Sequence, residues 1–430
     1  MEGVRLWYND GDYLRAIETW DYYLEALIEW DDESYNDDII STFSLLKEPV
    51  QKTSESNNVA RLLLFLAGCQ LDAQQIYEAR RSLIRCMRCC GDYNSTAQLA
   101  IQELLCSYDE DIFTENNCED SLKICRKVVE FAIDRGCLNW TDKYQRPGYM
   151  CAELQPHGKP HYSNDERPEW CNLLEKEENW KRIRDEFYRL AKGGSSTNHW
   201  PAVGSGDHRG GAGQHDHKVV DGQWKEVVLF GSGARPDLAP FTSNLIRRYA
   251  PEATSLANQG GGEVIFSVLG PNTRIRTHCG STNLRLTAHL GLSIPSCATD
   301  RTEKNQCAIR VADKWHSWEE GKILVFDDSF EHEVRNLTSQ HRAVLLLRFW
   351  HPRLKSSARA TALDNVVDAK KIDTLRRYNP PLPSDCFKNV EERGLEQSKC
   401  SVCWNSGYSS LRLICIDDPA FMCSCGHPIM

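Results

Sequence analysis

Residues 282–292 read Thr282-Asn283-Leu284-Arg285-Leu286-Thr287-Ala288-His289-Leu290-Gly291-Leu292. Leu284, Leu286, Ala288 and Leu290 alternate with Arg285, Thr287 and His289. A strand sends these two sets to opposite faces, so one face is apolar and the other presents Arg, Thr and His. Working outward, residues 263–268, 322–326 and 342–350 are also strand-like, and turn residues separate them. Short antiparallel strands gathered in one block, 224–352, predict a β-sandwich or a jelly-roll barrel.

Chemistry-bearing residues cluster in the same block. His278 precedes the quoted strand, in Thr277-His278-Cys279-Gly280. Some fifty residues later comes Phe326-Asp327-Asp328-Ser329-Phe330-Glu331-His332-Glu333-Val334, and Arg342 then opens an apolar strand ending in Trp350-His351-Pro352. Two separated histidines on strands, with an arginine downstream, are what a non-haem iron site requires. Neutral imidazoles bind Fe(II), open positions receive a cosubstrate and O₂, and the arginine pairs with a carboxylate. On spacing alone, a pair of hydrogen-bonded core histidines is an equal reading.

The order of the motifs separates the two. His-x-Gly-x-Thr-Asn-x-Arg-Leu…His-Leu-Gly-Leu (278–292), Trp-Glu-Glu-Gly-Lys (318–322), Phe-Asp-Asp-Ser-Phe-Glu-His-Glu-Val (326–334) and the late Arg…Trp-His-Pro (342–352) together resemble the catalytic domain of the aspartyl/asparaginyl β-hydroxylase family. Weaker similarity reaches back through 264–270 and 179–186 to about Gln145-Arg146-Pro147. The resemblance implies a double-stranded β-helix (jelly-roll) oxygenase using Fe(II), 2-oxoglutarate as cosubstrate and O₂. The implied reaction hydroxylates the β-carbon of Asp or Asn in a peptide or protein substrate. It makes His278 and His332 the iron ligands. Gly280 stands where the usual facial triad has a carboxylate, so a water fills that position and Asp328 holds it. Ser267 and Arg342 correspond to the groups on the distal carboxylate of 2-oxoglutarate, and His289 to a residue near its other carboxylate.

One position departs from the family pattern. Arg-Leu-Arg-x-His is here Arg285-Leu286-Thr287-Ala288-His289, so the second arginine, which in the family contacts the C1 carboxylate, is Thr287. Losing a charge-assisted pair costs on the order of 1.5–3 kcal/mol, or one to two decades in affinity. Arg348 lies six strand residues from Arg342, roughly 20 Å along the strand, and is set aside. Arg276, two residues before His278 and thus on its face in a regular strand, is the expected substitute. A second departure concerns substrate: the family acts on disulfide-bearing epidermal-growth-factor-like domains, and the animal enzyme has a cysteine pair ahead of its metal motif. The equivalent stretch here, 231–244, has no cysteine.

The expected architecture is α+β and multidomain. Residues 1–135 show apolar residues at three and four spacing (Tyr13-Leu14-Ala16-Ile17-Trp20, 62–66, Ala79-Leu83-Ile84, Val128-Phe131-Ala132) and read as helical. Gly11-Asp12-Tyr13…Ala16-Ile17 suggests a tetratricopeptide-like helical region, a surface for protein partners; a plain helical bundle is the alternative. The oxygenase domain is placed at 136–355. Within it, 193–222 is a Gly-, Ser- and His-rich loop carrying His208, His215 and His217. A polar linker, 356–398, leads to a cysteine-rich tail, 399–430. There Cys400, Cys403, Cys423, Cys425 and His427 are candidate ligands for Zn(II), with a loose, reduced tail as the alternative. Cys86, Cys89 and Cys90 share a helical stretch without a second pair and read as structural.

Composition excludes other classes. Of the 430 residues, 1–50 hold thirteen Asp or Glu against three Arg or Lys, and that excess accounts for the whole formal charge of −10. An acidic head on a neutral body argues against nucleic-acid binding. No apolar run approaches the roughly 20 residues of a membrane helix, and residues 1–4 lack a signal-peptide pattern. With Met1 as the true start the expected location is the cytoplasm. The family analogy points to the endoplasmic reticulum if the N-terminus is incomplete. Nineteen cysteines in a cytosolic chain are expected to be reduced. The alternative to an enzyme is a catalytically silent oxygenase fold used as a protein-interaction scaffold: Thr287 favours it, while intact Ser267, His278, Asp328, His332 and Arg342 oppose it.

Overall fold

The computed structural model describes residues 12–27, 54–90, 95–114, 119–136, 140–192, 220–295 and 306–366. The chain divides into two compact units; one holds the N-terminal helices and the other is built mainly from Trp140–Val367. The expected tail ligands Cys400, Cys403, Cys423, Cys425 and His427 lie outside the described residues. So do His208, His215 and His217 and the linker 367–398.

The N-terminal unit is helical, as its periodicity predicts. Its helices are α1 (Tyr13–Leu27), α2 (Ser54–Asp72), α3 (Ile76–Cys89), α4 (Ser95–Thr114) and α5 (Glu119–Asp134). Buried positions on α3 (Ala79, Leu83, Ile84, Cys86, Met87) and α5 (Leu122, Cys125, Val128, Val129, Ala132) follow the three and four spacing. Cys86, Cys89 and Cys90 are buried free thiols, in keeping with a structural role. No described helix is long and apolar enough to cross a membrane.

The second unit contains eleven described strands in two antiparallel sheets. The larger has the order β1 (His161–Tyr162), β9 (Ile323–Phe326), β6 (Arg285–Ser293), β11 (Arg342–Trp350), β4 (Val264–Leu269), β3 (Trp224–Phe230). The smaller has β2 (Val220–Asp221), β5 (Thr273–His278), β10 (His332–Asn336), β7 (Cys307–Val311), β8 (Lys314–His316). Ile265, Leu269, Val344, Leu346 and Phe326 of the first sheet share a core with Ile275, Ile309, Val311 and Val334 of the second. The sheets therefore pack face to face.

The alternation in β6 accounts for the other layer. Leu286, Ala288, Leu290 and Leu292 turn outward, away from the second sheet. There they bury against Trp170, Ile183, Phe187, Leu245, Ile246 and Ala253 of four helices that the strand pattern did not announce. These are α6 (Trp170–Leu174), α7 (Glu177–Lys192), α8 (Pro240–Tyr249) and α9 (Pro251–Asn258). Arg285, Thr287 and His289 are thereby left on the face between the sheets. α7 begins with Glu177 and Glu178 and ends with Arg189 and Lys192, charges that suit the helix dipole. Its one buried acid, Glu186, accepts hydrogen bonds from Phe241 N (2.9 Å), Thr242 N (2.8 Å) and Thr242 Oγ1 (2.7 Å). Ala239 precedes α8 and has no side chain to cap it, so a carboxylate from the neighbouring helix satisfies its first free N–H groups.

Two glycines of the quoted motifs are fixed by close approach. A Cβ at Gly291 would lie 2.2 Å from Glu319 O, and one at Gly321 (φ +74°) would lie 2.7 Å from the Trp180 indole. The Trp318–Lys322 stretch is thus seated on β6, with Gly291 N donating to Lys322 O and Gly321 N to Gly291 O.

Candidate iron and cosubstrate site

His278 ends β5 and His332 begins β10, and the two are directly paired across the ladder. Their ring centroids are 4.2 Å apart at 50°. Each ring is oriented by its own strand: His278 Nδ1 lies 2.8 Å from Arg276 O, and His332 Nδ1 lies 2.8 Å from Phe330 O. A carbonyl only accepts, so Nδ1 carries a proton in both, the arrangement in which a metal-binding imidazole uses Nε2. Burial, with His278 alongside, lowers the His332 pKa to about 3, so the ring is neutral near pH 7. Among the described residues no set of three or more His, Cys, Asp or Glu side chains converges for a metal.

The position of a third ligand is taken by a side chain from elsewhere. A Cβ at Gly280 would meet Asp328 O at 2.7 Å and Asp328 Oδ1 at 2.8 Å, and Gly280 N donates to Asp328 O at 2.5 Å. Asp328 thus fills the space that a carboxylate two residues after His278 would occupy. Its Oδ2 accepts from Arg285 Nη2 and Arg348 Nε, both at 3.2 Å, whereas the buried Oδ1 has no partner. Burial works against the charge, but Arg285 and Arg348 hold the carboxyl well below the usual range. Its neighbour Asp327 goes the other way: burial pushes it up to about 8, against hydrogen bonds from Ser329. Adjacent acids are split into one ionised and one protonated group.

A second group of donors lies along a line of ring contacts from the histidine pair. Phe326 sits 5.8 Å from His332 and 5.1 Å from His289, centroid to centroid. Trp318 Nε1 donates to His289 Nδ1 at 3.3 Å, which leaves the proton of this neutral ring on Nε2, buried and without an acceptor. Burial and the nearby Arg342 and Arg348 charges push His289 well below its ordinary pKa. Arg342 stacks over Trp318 at 4.5 Å, 2 % exposed, with Nε and Nη1 unpaired; burial lowers it to about 10. Ser267 Oγ, on the same face two strands away from β6, accepts from Trp224 Nε1 at 3.0 Å. Buried orphan donors at Arg342 and His289 cost free energy unless an acceptor arrives, and a dicarboxylate supplies the acceptors they lack. The residues fit an Fe(II) and 2-oxoglutarate site on this count.

The structure therefore brings His278, His332, Asp328, His289, Arg342 and Ser267 to the space between the sheets. It revises the account of the missing arginine. The β5–β10 ladder shifts register between His332 and Val334, so Ile275 pairs with Val334 while His278 pairs with His332. That bulge interrupts the two-residue alternation between Ile275 and His278, on which the expectation for Arg276 rested. Arg348, set aside for its distance from Arg342, is the Cα partner of Thr287 in the β6–β11 ladder. Distance along one strand was the wrong measure, because the neighbouring strand folds back beside it. Sequence reasoning also left Trp318 and Arg285 without roles, although both stand inside quoted motifs.

The comparisons with known proteins follow the same motifs. The family model described as aspartyl/asparaginyl beta-hydroxylase matches residues 177–352. The aspartyl/asparaginyl beta-hydroxylase of Homo sapiens is 35% identical over 190 residues, 43% of this chain and 21% of that protein. The ornithine lipid ester-linked acyl 2-hydroxylase of Rhizobium tropici is 34% identical over 144 residues, 33% of this chain and 46% of its own length. The aspartate beta-hydroxylase domain-containing protein 2 of Homo sapiens is 30% identical over 209 residues, 48% of this chain and 50% of the relative. The chain spans about a fifth to a half of the length of these relatives. Residues 177–352, the stretch that matches the aspartyl/asparaginyl beta-hydroxylase family model, hold every site residue described above.

Proposed function

We propose that the chain is an Fe(II)- and 2-oxoglutarate-dependent dioxygenase that hydroxylates the β-carbon of Asp or Asn in a peptide or protein substrate. The two packed antiparallel sheets are read as a double-stranded β-helix. The N-terminal helices are read as a tetratricopeptide-like region for protein contacts. The observation that supports the reading best is the histidine pair, directly opposed across the β5–β10 ladder with both Nδ1 atoms held at backbone carbonyls. Iron, when bound, supplies O₂ activation coupled to oxidative decarboxylation of 2-oxoglutarate.

The chain's own residues do the rest. His278 and His332 would hold the metal, and Asp328, seated where a side chain at 280 would stand, would hold a water through Oδ1. Arg342, Ser267 and the His289 Nε2–H receive the cosubstrate carboxylates. Phe326, Trp318 and Phe330 keep bulk water from the space between the sheets. The Rhizobium tropici relative is named for an acyl chain, so the assay carries peptide and acyl-lipid arms.

The test is succinate release by the purified chain with Fe(II), ascorbate and 2-oxoglutarate, with and without Asp- or Asn-containing peptides. Peptide-stimulated turnover is expected, and His332→Ala should abolish both turnover and Mn(II) binding. A protein that binds Mn(II) and 2-oxoglutarate but never turns over would instead support the silent scaffold. Zinc analysis of the full chain against a Cys400→Ser, Cys403→Ser double variant tests the proposed zinc tail, with loss of one equivalent expected.

A further inference from the structure

Within that proposed function, we propose that Arg348 is the second cation of the cosubstrate site, supplied by β11 in place of an arginine at 287. Four observations support it. Arg348 and Thr287 are Cα partners in an antiparallel ladder, so their side chains rise from one face about 5 Å apart. Thr287 is 2 % exposed with Oγ1 buried and unpartnered, which marks a polar position that its own side chain does not satisfy. Arg348 turns toward the metal side, with Nε 3.2 Å from Asp328 Oδ2. Its Nη1 is held by Oε1 of Glu263, the residue just before β4.

The long arginine is thereby braced at both ends of its guanidinium. Asp328 and Arg285 lie on the metal side and Glu263 on the other. A cation held this way is preorganised to receive a carboxylate next to the metal. Arg348 is a positioning residue as well, since it and Arg285 share Asp328 Oδ2 while Oδ1 lies against Gly280. The charge lost from β6 has moved across the ladder to its partner position.

The experiment is calorimetric titration of 2-oxoglutarate into the full chain at saturating Mn(II), which binds without turnover. Arg348→Thr should weaken cosubstrate binding about ten- to a hundred-fold, the loss expected of one charge-assisted pair. The exchange variant, Arg348→Thr with Thr287→Arg, should recover affinity to within about threefold. A purely structural pair with Glu263 would lower the melting temperature of Arg348→Thr while leaving affinity in place, and that result overturns the inference. So does an exchange variant as weak as Arg348→Thr. If Arg348→Thr fails to fold, Arg348→Lys and the exchange variant carry the test: both must bind, and exchange binding below a tenth of wild type overturns it. Wild-type chain that takes up Mn(II) but no 2-oxoglutarate sinks the parent reading as well, so the two failures are told apart.

Discussion

At the scale of single residues, the site is organised around an exclusion. Asp328 occupies the volume a side chain at 280 would need, and its backbone O, which cannot swing away, is the nearest atom. Gly280→Ala should therefore destabilise the fold by about 1–3 kcal/mol, the usual cost of overpacking, and should weaken Mn(II) binding at least tenfold. A melting curve and a metal titration check this; an unchanged melt would refute the packing argument. Gly280→Asp should fare no better, because a new carboxylate cannot enter space already filled by another. Glycine at this position was legible in the sequence as a missing ligand. The resemblance linked Asp328 to this gap through a water; that its own backbone O packs directly against Gly280 was not legible, since 280 and 328 meet only through the fold.

At the scale of elements, pattern reading succeeded where one strand decides the answer and failed where two must be aligned. The alternation in 282–292 placed Arg285, Thr287 and His289 on one face, and β6 keeps it. The bulge in β5 is invisible in Thr273-Arg274-Ile275-Arg276-Thr277-His278, yet it decides which of those side chains share a face. Ladder partners such as Thr287 and Arg348 are likewise set by register, which a single strand does not encode. The helices over the outer face were missed for a related reason: Ala239 gives α8 no cap signal, because the cap is Glu186 on α7. Glu186→Ala should cost about 2–4 kcal/mol in urea unfolding, as it orphans buried N–H donors and a hydroxyl. A loss under 0.5 kcal/mol would show that water serves the helix end equally well.

At the scale of the whole molecule, buried ionisable groups set an acid limit on stability. His161 and His351 are lowered to about 4 and His332 to about 3, each mainly by burial. His289 and His316 are also lowered by burial. A histidine depressed in the fold contributes stability in full above its unfolded value, near 6.5, and loses it as pH falls toward the folded value. Asp327, raised to about 8, has the opposite sign: its contribution is full below about 4 and is lost as pH rises toward 8. Between about pH 4 and 6.5 the unfolded chain binds the extra protons of five histidines against one retained by folded Asp327, so stability rises with pH. Above 6.5 the Asp327 effect remains and stability declines gently. Denaturant unfolding of the metal-free chain at pH 5, 6.5 and 8 should be strongest at the middle value; greater stability at pH 5 would contradict these assignments. The helical half and the sheet half were both readable from periodicity. Histidine burial was not, because it depends on which strands close over each ring.

The two backbone carbonyls behind His278 and His332 have a consequence for metal supply. Each ring takes its tautomer and orientation from a carbonyl two residues earlier in its own chain, so the pocket is shaped before any ion arrives. Uptake and release then need no rearrangement of the ladder, and the cation should exchange without disturbing the fold. With two imidazoles to offer among the described residues, the proposed site places few demands on an ion's preferred geometry, and intrinsic affinities among first-row divalent metals follow their common order. On the proposed reading, the metal held by His278 and His332 follows the inventory of the compartment, and a copper- or zinc-rich preparation would fill the site with another ion while the chain stays folded.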